Sequence, residues 1–207
     1  MPGKLNDRRQ RHDPYYRRAK SESYAARSVY KLQELDERFG LLRAGQRVLD
    51  LGCRPGSWLQ YASARVGPQG RIVGLDREPL PITLPSHVRL IVGDVLTIGG
   101  DALRGALPCF DLVLSDMAPD TSGVASSDQL RSAELFERAL ALSLELGCAQ
   151  TAFVAKILMG EGFEPALASV KRAYRRTKVV RPDATRRQST EVYVVALERR
   201  EAPVPAP

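Results

Sequence analysis

The sequence predicts an α/β domain: a doubly wound, mostly parallel sheet with helices on both faces. Three observations predict it. Short apolar runs alternate with helix-compatible stretches from Arg47 onward. The first four runs end at or beside an acid, Asp50, Asp76, Asp94 and Asp116. The first run passes into a helix through a glycine turn, Gly52-Cys53-Arg54-Pro55-Gly56, as a parallel strand does at a nucleotide-type site.

Residues 1–23 are polar and basic, with Lys4, Arg8, Arg9, Arg11, Arg17, Arg18 and Lys20 against Asp7, Asp13 and Glu22. Tyr15 and Tyr16 interrupt the charges. Such a stretch is either a solvated, partly disordered arm or an arm whose cations meet phosphates and whose rings stack on bases. A helix is expected over Tyr24–Phe39, because Val29, Leu32, Leu35 and Phe39 recur at helical spacing and Gly40 can stop it. Lys31 lies beside that stripe and can face the domain. Strands are expected at Arg47–Leu51, Gly70–Leu75, Val88–Val92, Phe110–Leu114 and Thr151–Lys156, with helices at Ser57–Val66, Asp101–Ala106, Ser127–Leu146 and Pro165–Arg175. Lys178–Val180 and Glu191–Leu197 are read as the last two strands, an antiparallel pair at one edge joined by Arg181–Thr190. This gives an arm at 1–23, a domain at 24–198 and a frayed Pro/Ala-rich tail at 199–207.

The glycine turn is no dinucleotide fingerprint, since Arg54 stands where a glycine is required, and no triphosphate loop G-x-x-x-x-G-K-[ST] occurs. It suits a small adenosyl-type ligand without a pyrophosphate, or is an ordinary βα turn. The acids are read together. Each alone serves as a cap or turn residue, but ligands of open parallel sheets bind beyond the carboxyl ends of the strands. An acidic rim suits hydroxyls, amines and a positive centre, all present in S-adenosylmethionine. Asp76, at the end of the second strand, is placed to accept from ribose hydroxyls. Asp94 suits an adenine amine, and Asp116 lies where the sulfonium methyl would sit. Trp58 borders the ligand or belongs to the core.

Composition bounds the partners. The chain has 207 residues, 43% of them hydrophobic, enough for a packed core. Its net charge of +7 points to a polyanion. Cys53, Cys109 and Cys148 are read as neither a disulfide framework nor a zinc spacing, and His12 and His87 alone make no metal site. No leader and no membrane-length apolar run is read, so a cytoplasmic protein is expected.

Beyond these features, the glycine loop, Ser115-Asp116-Met117-Ala118-Pro119, Lys156, Gly160-Glu161-Gly162-Phe163 and Ser189-Thr190-Glu191-Val192-Tyr193 resemble the FtsJ-like 2′-O-ribose methyltransferases in order and spacing. Arg27-Ser28-Val29-Tyr30-Lys31-Leu32 resembles that family's N-terminal lysine motif. The resemblance runs from about Tyr15 to Leu197 and implies a Rossmann-like S-adenosylmethionine-dependent fold. It implies a catalytic tetrad of Lys31, Asp116, Lys156 and Glu191, and methyl-donor contacts from Gly56, Trp58, Asp76, Asp94 and Asp116. Asp50 and Gly52 join the donor site as the rim acid and the turn glycine of the first strand. The loop departs from the family's usual Ala-Ala-Pro-Gly-Gly-Trp by carrying Cys53, Arg54 and Ser57.

A ribose hydroxyl is a poor nucleophile at neutral pH and needs a base or close alignment. Lys156 is expected to accept or steer its proton. Lys31 and Glu191 are expected to place the ribose, and Asp116 to support Lys156 and the methyl; the four could instead form a structural ion-pair cluster. The adenine-methylating pattern Pro-Pro-aromatic is missing after the fourth strand, and Pro108-Cys109 precedes that strand, at the wrong end for a cytosine nucleophile. A second basic cluster, Lys171, Arg172, Arg175, Arg176, Lys178, Arg181, Arg186 and Arg187, suits an RNA backbone. A 2′-hydroxyl specifies RNA over DNA. The expected acceptor is a uridine of large-subunit ribosomal RNA, free or in the subunit. Transfer RNA and a non-catalytic ribosome-assembly role are the alternatives. A monomer without metal is expected.

Overall fold

The computed structural model describes residues 13–186 and 188–201. The basic residues before Asp13, His12, Arg187 and the tail from Ala202 lie outside the described residues. Helix α1 (Pro14–Ser21) is capped by Asp13, whose Oδ1 accepts from the Tyr15 and Tyr16 amides at 3.0 and 3.4 Å. The described part of the expected arm is therefore a docked helix. Ala19 is buried with Val29, Tyr30 and Ala184, and Tyr15 packs against them. Asp13 also pairs with Arg27, whose guanidinium donates to the Ala184 carbonyl.

Helix α2 (Val29–Phe39) starts at the first residue of its apolar stripe, five residues after the expected Tyr24. The chain before it turns instead, with the Ala25 amide donating to Gln60 Oε1 at 2.8 Å. Gly40 ends α2 with φ 63°, as expected of a left-handed C-terminal stop. The sheet then forms from β1 (Arg47–Leu51), β2 (Arg71–Asp76), β3 (Val88–Val92), β4 (Phe110–Ser115), β5 (Gly147–Leu158), β6 (Tyr174–Val180) and β7 (Glu191–Arg199). Helices α3 (Ser57–Val66), α4 (Gly100–Arg104), α5 (Ala125–Leu146) and α6 (Phe163–Ala173) connect them.

The seven strands lie in the order β3-β2-β1-β4-β5-β7-β6. Strands β1 to β5 pair in parallel, and β7 runs antiparallel to both β5 and β6. The expected antiparallel pair thus sits at one edge, with β7 slotted between β5 and β6. Strand β6 begins four residues before its expected start because Tyr174 leaves the helix to enter the core. Its ring stacks on Phe153 at 6.3 Å, and its hydroxyl meets Ser143 at 2.9 Å.

One core lies between the sheet and α5–α6, around Phe136, Phe153, Leu140 and Val170. The other lies between the sheet and α2–α3, around Leu35, Leu59, Leu112 and Trp58. Buried Asp36 ties α2 to α3, accepting from the Leu42 amide (2.7 Å), the Tyr61 hydroxyl (2.9 Å) and Arg65 (3.1 Å). Three donors satisfy a carboxylate that burial would otherwise make costly.

The cysteine expectation is corrected. Cys109 and Cys148 form a disulfide, with Cα atoms 5.1 Å apart. They are 39 residues apart in sequence, but β4 and β5 are neighbours and Phe110 pairs with Gly147. Cys53 is buried and free, and burial, followed by Asp50 and Asp76, pushes its thiol up. No described helix is long and apolar enough to cross a membrane.

Candidate active site

The carboxyl ends of the parallel strands form one rim, and a cavity of about 360 Å³ opens there. Gly52, Leu75, Asp76, Gly93, Asp94, Leu96 and the segment Asp116–Asp120 line it, with Arg131, Glu134 and Leu135 from α5. The volume is that of a small-molecule site. Gly52 has φ 74°, and a Cβ there would lie 2.6 Å from Met117 Cγ, so the floor closes only over a glycine. Gly56 has φ 109°, and its added Cβ would strike Ile82 Cδ1 at 2.3 Å.

The acids are poised differently. Asp76 accepts from the Arg54 amide at 2.9 Å and the Glu78 amide at 3.2 Å, which fixes the carboxylate at the cavity wall. Asp94 Oδ1 accepts from the Leu96 amide at 2.9 Å. Asp50 is fully buried beneath the glycine turn, and neither of its oxygens has a hydrogen-bond partner. Burial, with Asp116 and Asp76 nearby, holds its carboxyl well above the usual range. A buried orphan acid under an acid-walled cavity fits a ligand bearing hydroxyls and amines.

Two exposed ion pairs involve lining residues. Arg77 binds Asp120 through two bonds of 3.0 and 2.9 Å, and Arg54 pairs with Glu78 at 2.7 Å. Neither pairing was expected from the sequence, because each joins turns that follow different strands.

The four tetrad residues converge beside the cavity. Lys156 Nζ donates to the Asp116 carbonyl at 2.7 Å and lies 3.1 Å from Asp116 Oδ1. Lys31 Nζ pairs with Glu191 Oε1. The sheet brings the pairs together: Lys156 opposes Tyr193, and Leu158 opposes Glu191. Because β7 is antiparallel, its first residue reaches the rim where the parallel strands end. Burial alone raises the Asp116 carboxyl, yet Lys156, Lys31 and Tyr193 outweigh it and hold the group below the ordinary range.

Tyr193 is the residue that sequence reasoning passed over. Its hydroxyl donates to Asp116 Oδ1 at 2.6 Å, and Lys31 Nζ lies 5.8 Å from its ring centre. Burial, Asp116 and Glu191 push that hydroxyl well up, so it stays a donor. The available signal was its spacing: two residues beyond Glu191 on a strand, it shares that residue's face. Trp58, Gly56 and Asp50 lie outside the cavity lining. The Trp58 indole donates to the Ser28 carbonyl at 2.9 Å, and its ring lies 5.9 Å from that of Tyr193, bracing α2 against the site.

On the far side of Glu191, α1 and the 181–190 segment meet around Arg27. Burial lowers the Arg27 guanidinium and Arg186 lowers it further, while Glu191 opposes them, so these charges are neighbours. Arg17, Lys20, Arg181 and Arg186 are exposed there.

Comparison with known proteins places this geometry. Residues 24–199 match the profile of the FtsJ-like methyltransferases. A protein named "Ribosomal RNA large subunit methyltransferase E" from Desulfatibacillum aliphaticivorans is 43% identical over 188 residues, 91% of each chain. One of the same name from Syntrophobacter fumaroxidans is 44% identical over 194 residues, covering 92% of this chain and 97% of its own. A crystal structure described as a ribosomal RNA methyltransferase from Plasmodium falciparum superposes with a TM-score of 0.74 at 24% identity, covering 85% of this chain and 98% of that one, which supports the fold. With the profile spanning nearly the whole domain and relatives this similar end to end, the chain belongs to the FtsJ-like methyltransferase family.

Proposed function

We propose that the protein transfers a methyl group from S-adenosylmethionine to a ribose 2′-hydroxyl of large-subunit ribosomal RNA, at a uridine. The observation that carries this reading is the contact between Asp116 and Lys156 at the edge of an acid-walled cavity. The names of the relatives support the acceptor. The cavity lining suits the donor: Asp76 for the ribose hydroxyls, Asp94 for the adenine amine and Asp116 for the positive groups, with Asp50 buried behind the glycine turn. Gly52 lets Met117 close the floor, Gly56 lets Ile82 pack on the loop, and Trp58 braces α2 against the site. When bound, the donor supplies an electrophilic methyl on a positive sulfur.

The remaining work belongs to the chain. A lysine ammonium has three donors, and the Asp116 carbonyl and carboxylate take two directions of Lys156 Nζ. The third direction is left for the acceptor oxygen: an N–H there steers the oxygen, and only a lone pair there, on a neutral amine, takes its proton. Asp116 stays ionised and offsets the positive charge that Lys156 carries when protonated. Lys31 and Glu191, locked to each other, position the sugar. Tyr193 keeps Asp116 from turning away.

The exposed cations on α1 and the 181–190 segment provide a path for phosphates next to Glu191. Residues 24–198 form the methyltransferase domain in this reading, the protein is a cytoplasmic monomer, and no metal takes part. Incubation with labelled donor and large subunits, small subunits or transfer RNA tests the proposal. Label is expected as a ribose 2′-O-methyl on large-subunit RNA. Label confined to transfer RNA would move the acceptor, and no label on any RNA would leave a non-catalytic binding protein.

A further inference from the structure

Three large hydrophobic side chains stand out on the rim beside the tetrad. Val124 is 57% exposed, Leu130 49% and Met159 46%. Leu130 is in the first turns of α5, and Met159 follows the last residue of β5. The two elements are held together there. The Glu161 amide donates to Gln129 Oε1 at 3.0 Å, and a Cβ on Gly160 would lie 2.3 Å from Gln129 Cδ. A Cβ on Gly162 would lie 3.8 Å from Leu130 Cδ2. Leu130 and Met159 therefore flank one seam. The Met159 amide donates to the Thr190 carbonyl at 2.9 Å, one residue from Glu191. Met159, one residue past the end of β5, is three residues beyond Lys156, so at most about 10 Å of extended chain separates the two.

We propose that this apolar shelf, Leu130 and Met159 with Val124 at its margin, receives the base of the nucleotide whose ribose is methylated. The inference rests on the reading of the site as an RNA 2′-O-methyltransferase. The base is joined to the carbon next to the one bearing the reacting oxygen, so with that oxygen at Lys156 the base lies within a few bond lengths of the rim. The two sides of the rim differ in charge. Arg17, Lys20, Arg181 and Arg186 on the α1 side suit phosphates. The α5–β5 seam, between exposed Arg131 and Glu161, presents an apolar surface that suits an uncharged, flat, polarizable group. A methionine sulfur and a leucine side chain hold such a group by dispersion and apolar burial.

The test uses the full chain and an RNA acceptor, together with the same RNA lacking the base at the methylated nucleotide. All the substituted positions are half exposed, so the variants should fold normally. The double variant Leu130→Ser/Met159→Ser should lose about 10-fold in kcat/KM on the intact RNA, mostly through KM, with donor affinity unchanged by calorimetry. Leu130→Met/Met159→Leu should keep the wild-type value. On the base-free RNA, wild type should fall to the level of the double variant, and the variant should lose nothing further, the signature of coupled sites. Losses that simply multiply, or an unimpaired double variant, would overturn the shelf alone. A wild-type protein that methylates no RNA would remove the underlying reading as well.

Discussion

Lys156→Ala separates the chemistry from the architecture. The amine is nine-tenths buried and contacts Asp116 twice, so its loss has two effects of different size. Stability falls because Asp116 loses one cation, but Lys31 and the Tyr193 hydroxyl remain, which limits the cost to about 1–3 kcal/mol. In a domain of this size each kcal/mol moves Tm by roughly 2–4 °C, and the protein stays folded at 25 °C if it has ordinary stability. The rate falls further. A positioned acid or base contributes about 10²–10⁴-fold, or roughly 2.7–5.4 kcal/mol of barrier. The loss belongs to kcat, because the amine acts when the oxygen attacks. Lys156→Arg should not rescue, since a guanidinium stays protonated and is wider. Single-turnover transfer from labelled donor, run beside calorimetric donor binding and a melting curve, resolves the two effects. A folded Lys156→Ala protein with near-normal kcat would refute the assignment and leave the lysine as a structural ion-pair partner.

Further outcomes follow from neighbouring contacts. Asp76→Ala should weaken donor binding by about 1–3 kcal/mol, and unchanged affinity by calorimetry would place the donor ribose elsewhere. Tyr193→Phe should lower kcat while sparing donor affinity. It should also shift acid unfolding upward: Asp116 has a depressed pKa, so its stabilisation is present above the ordinary value of about 3.9 and is lost as pH falls through the folded value, and removing a donor raises that folded value. Denaturation followed from pH 6 to pH 2 checks this, and coincident curves would argue against the Tyr193–Asp116 bond. Asp50 carries the opposite sign. Its raised pKa makes the folded state lose stability as pH climbs from about 3.9 toward the folded value. Asp50→Asn should therefore stabilise the protein near pH 7, with the gain vanishing toward pH 4. A destabilised Asn variant would mean that the carboxylate is satisfied after all.

The legible parts of the fold were those with local causes. The strand–glycine–helix passage at Arg47–Val66 is written in adjacent residues, and its bounds agree with the structure. The start of β6 was misread because Tyr174, which looks like one more residue of an amphipathic helix, is drawn into the core by Phe153 and Ser143. The convergence of Lys31, Asp116, Lys156 and Glu191 was legible through resemblance; helical or strand periodicity carries no record of it. Tyr193, the Arg77–Asp120 pair and the Cys109–Cys148 bridge escaped for a shared reason. Each depends on which strands are neighbours, and strand order is a property of the whole chain.

The slotting of β7 between β5 and β6 also orders the making of the protein in time. Every residue lining the cavity lies at or before Leu135. The acceptor side waits for Glu191 and Tyr193, which reach the rim only when the last strand inserts beside β5. At about 5–20 residues per second of synthesis, the stretch from Leu135 to Glu191 takes seconds to emerge. In the proposed reading, a nascent chain thus carries the residues for the donor before those that place the ribose. On that reading the newborn protein completes its acceptor side only when its own final strand is released.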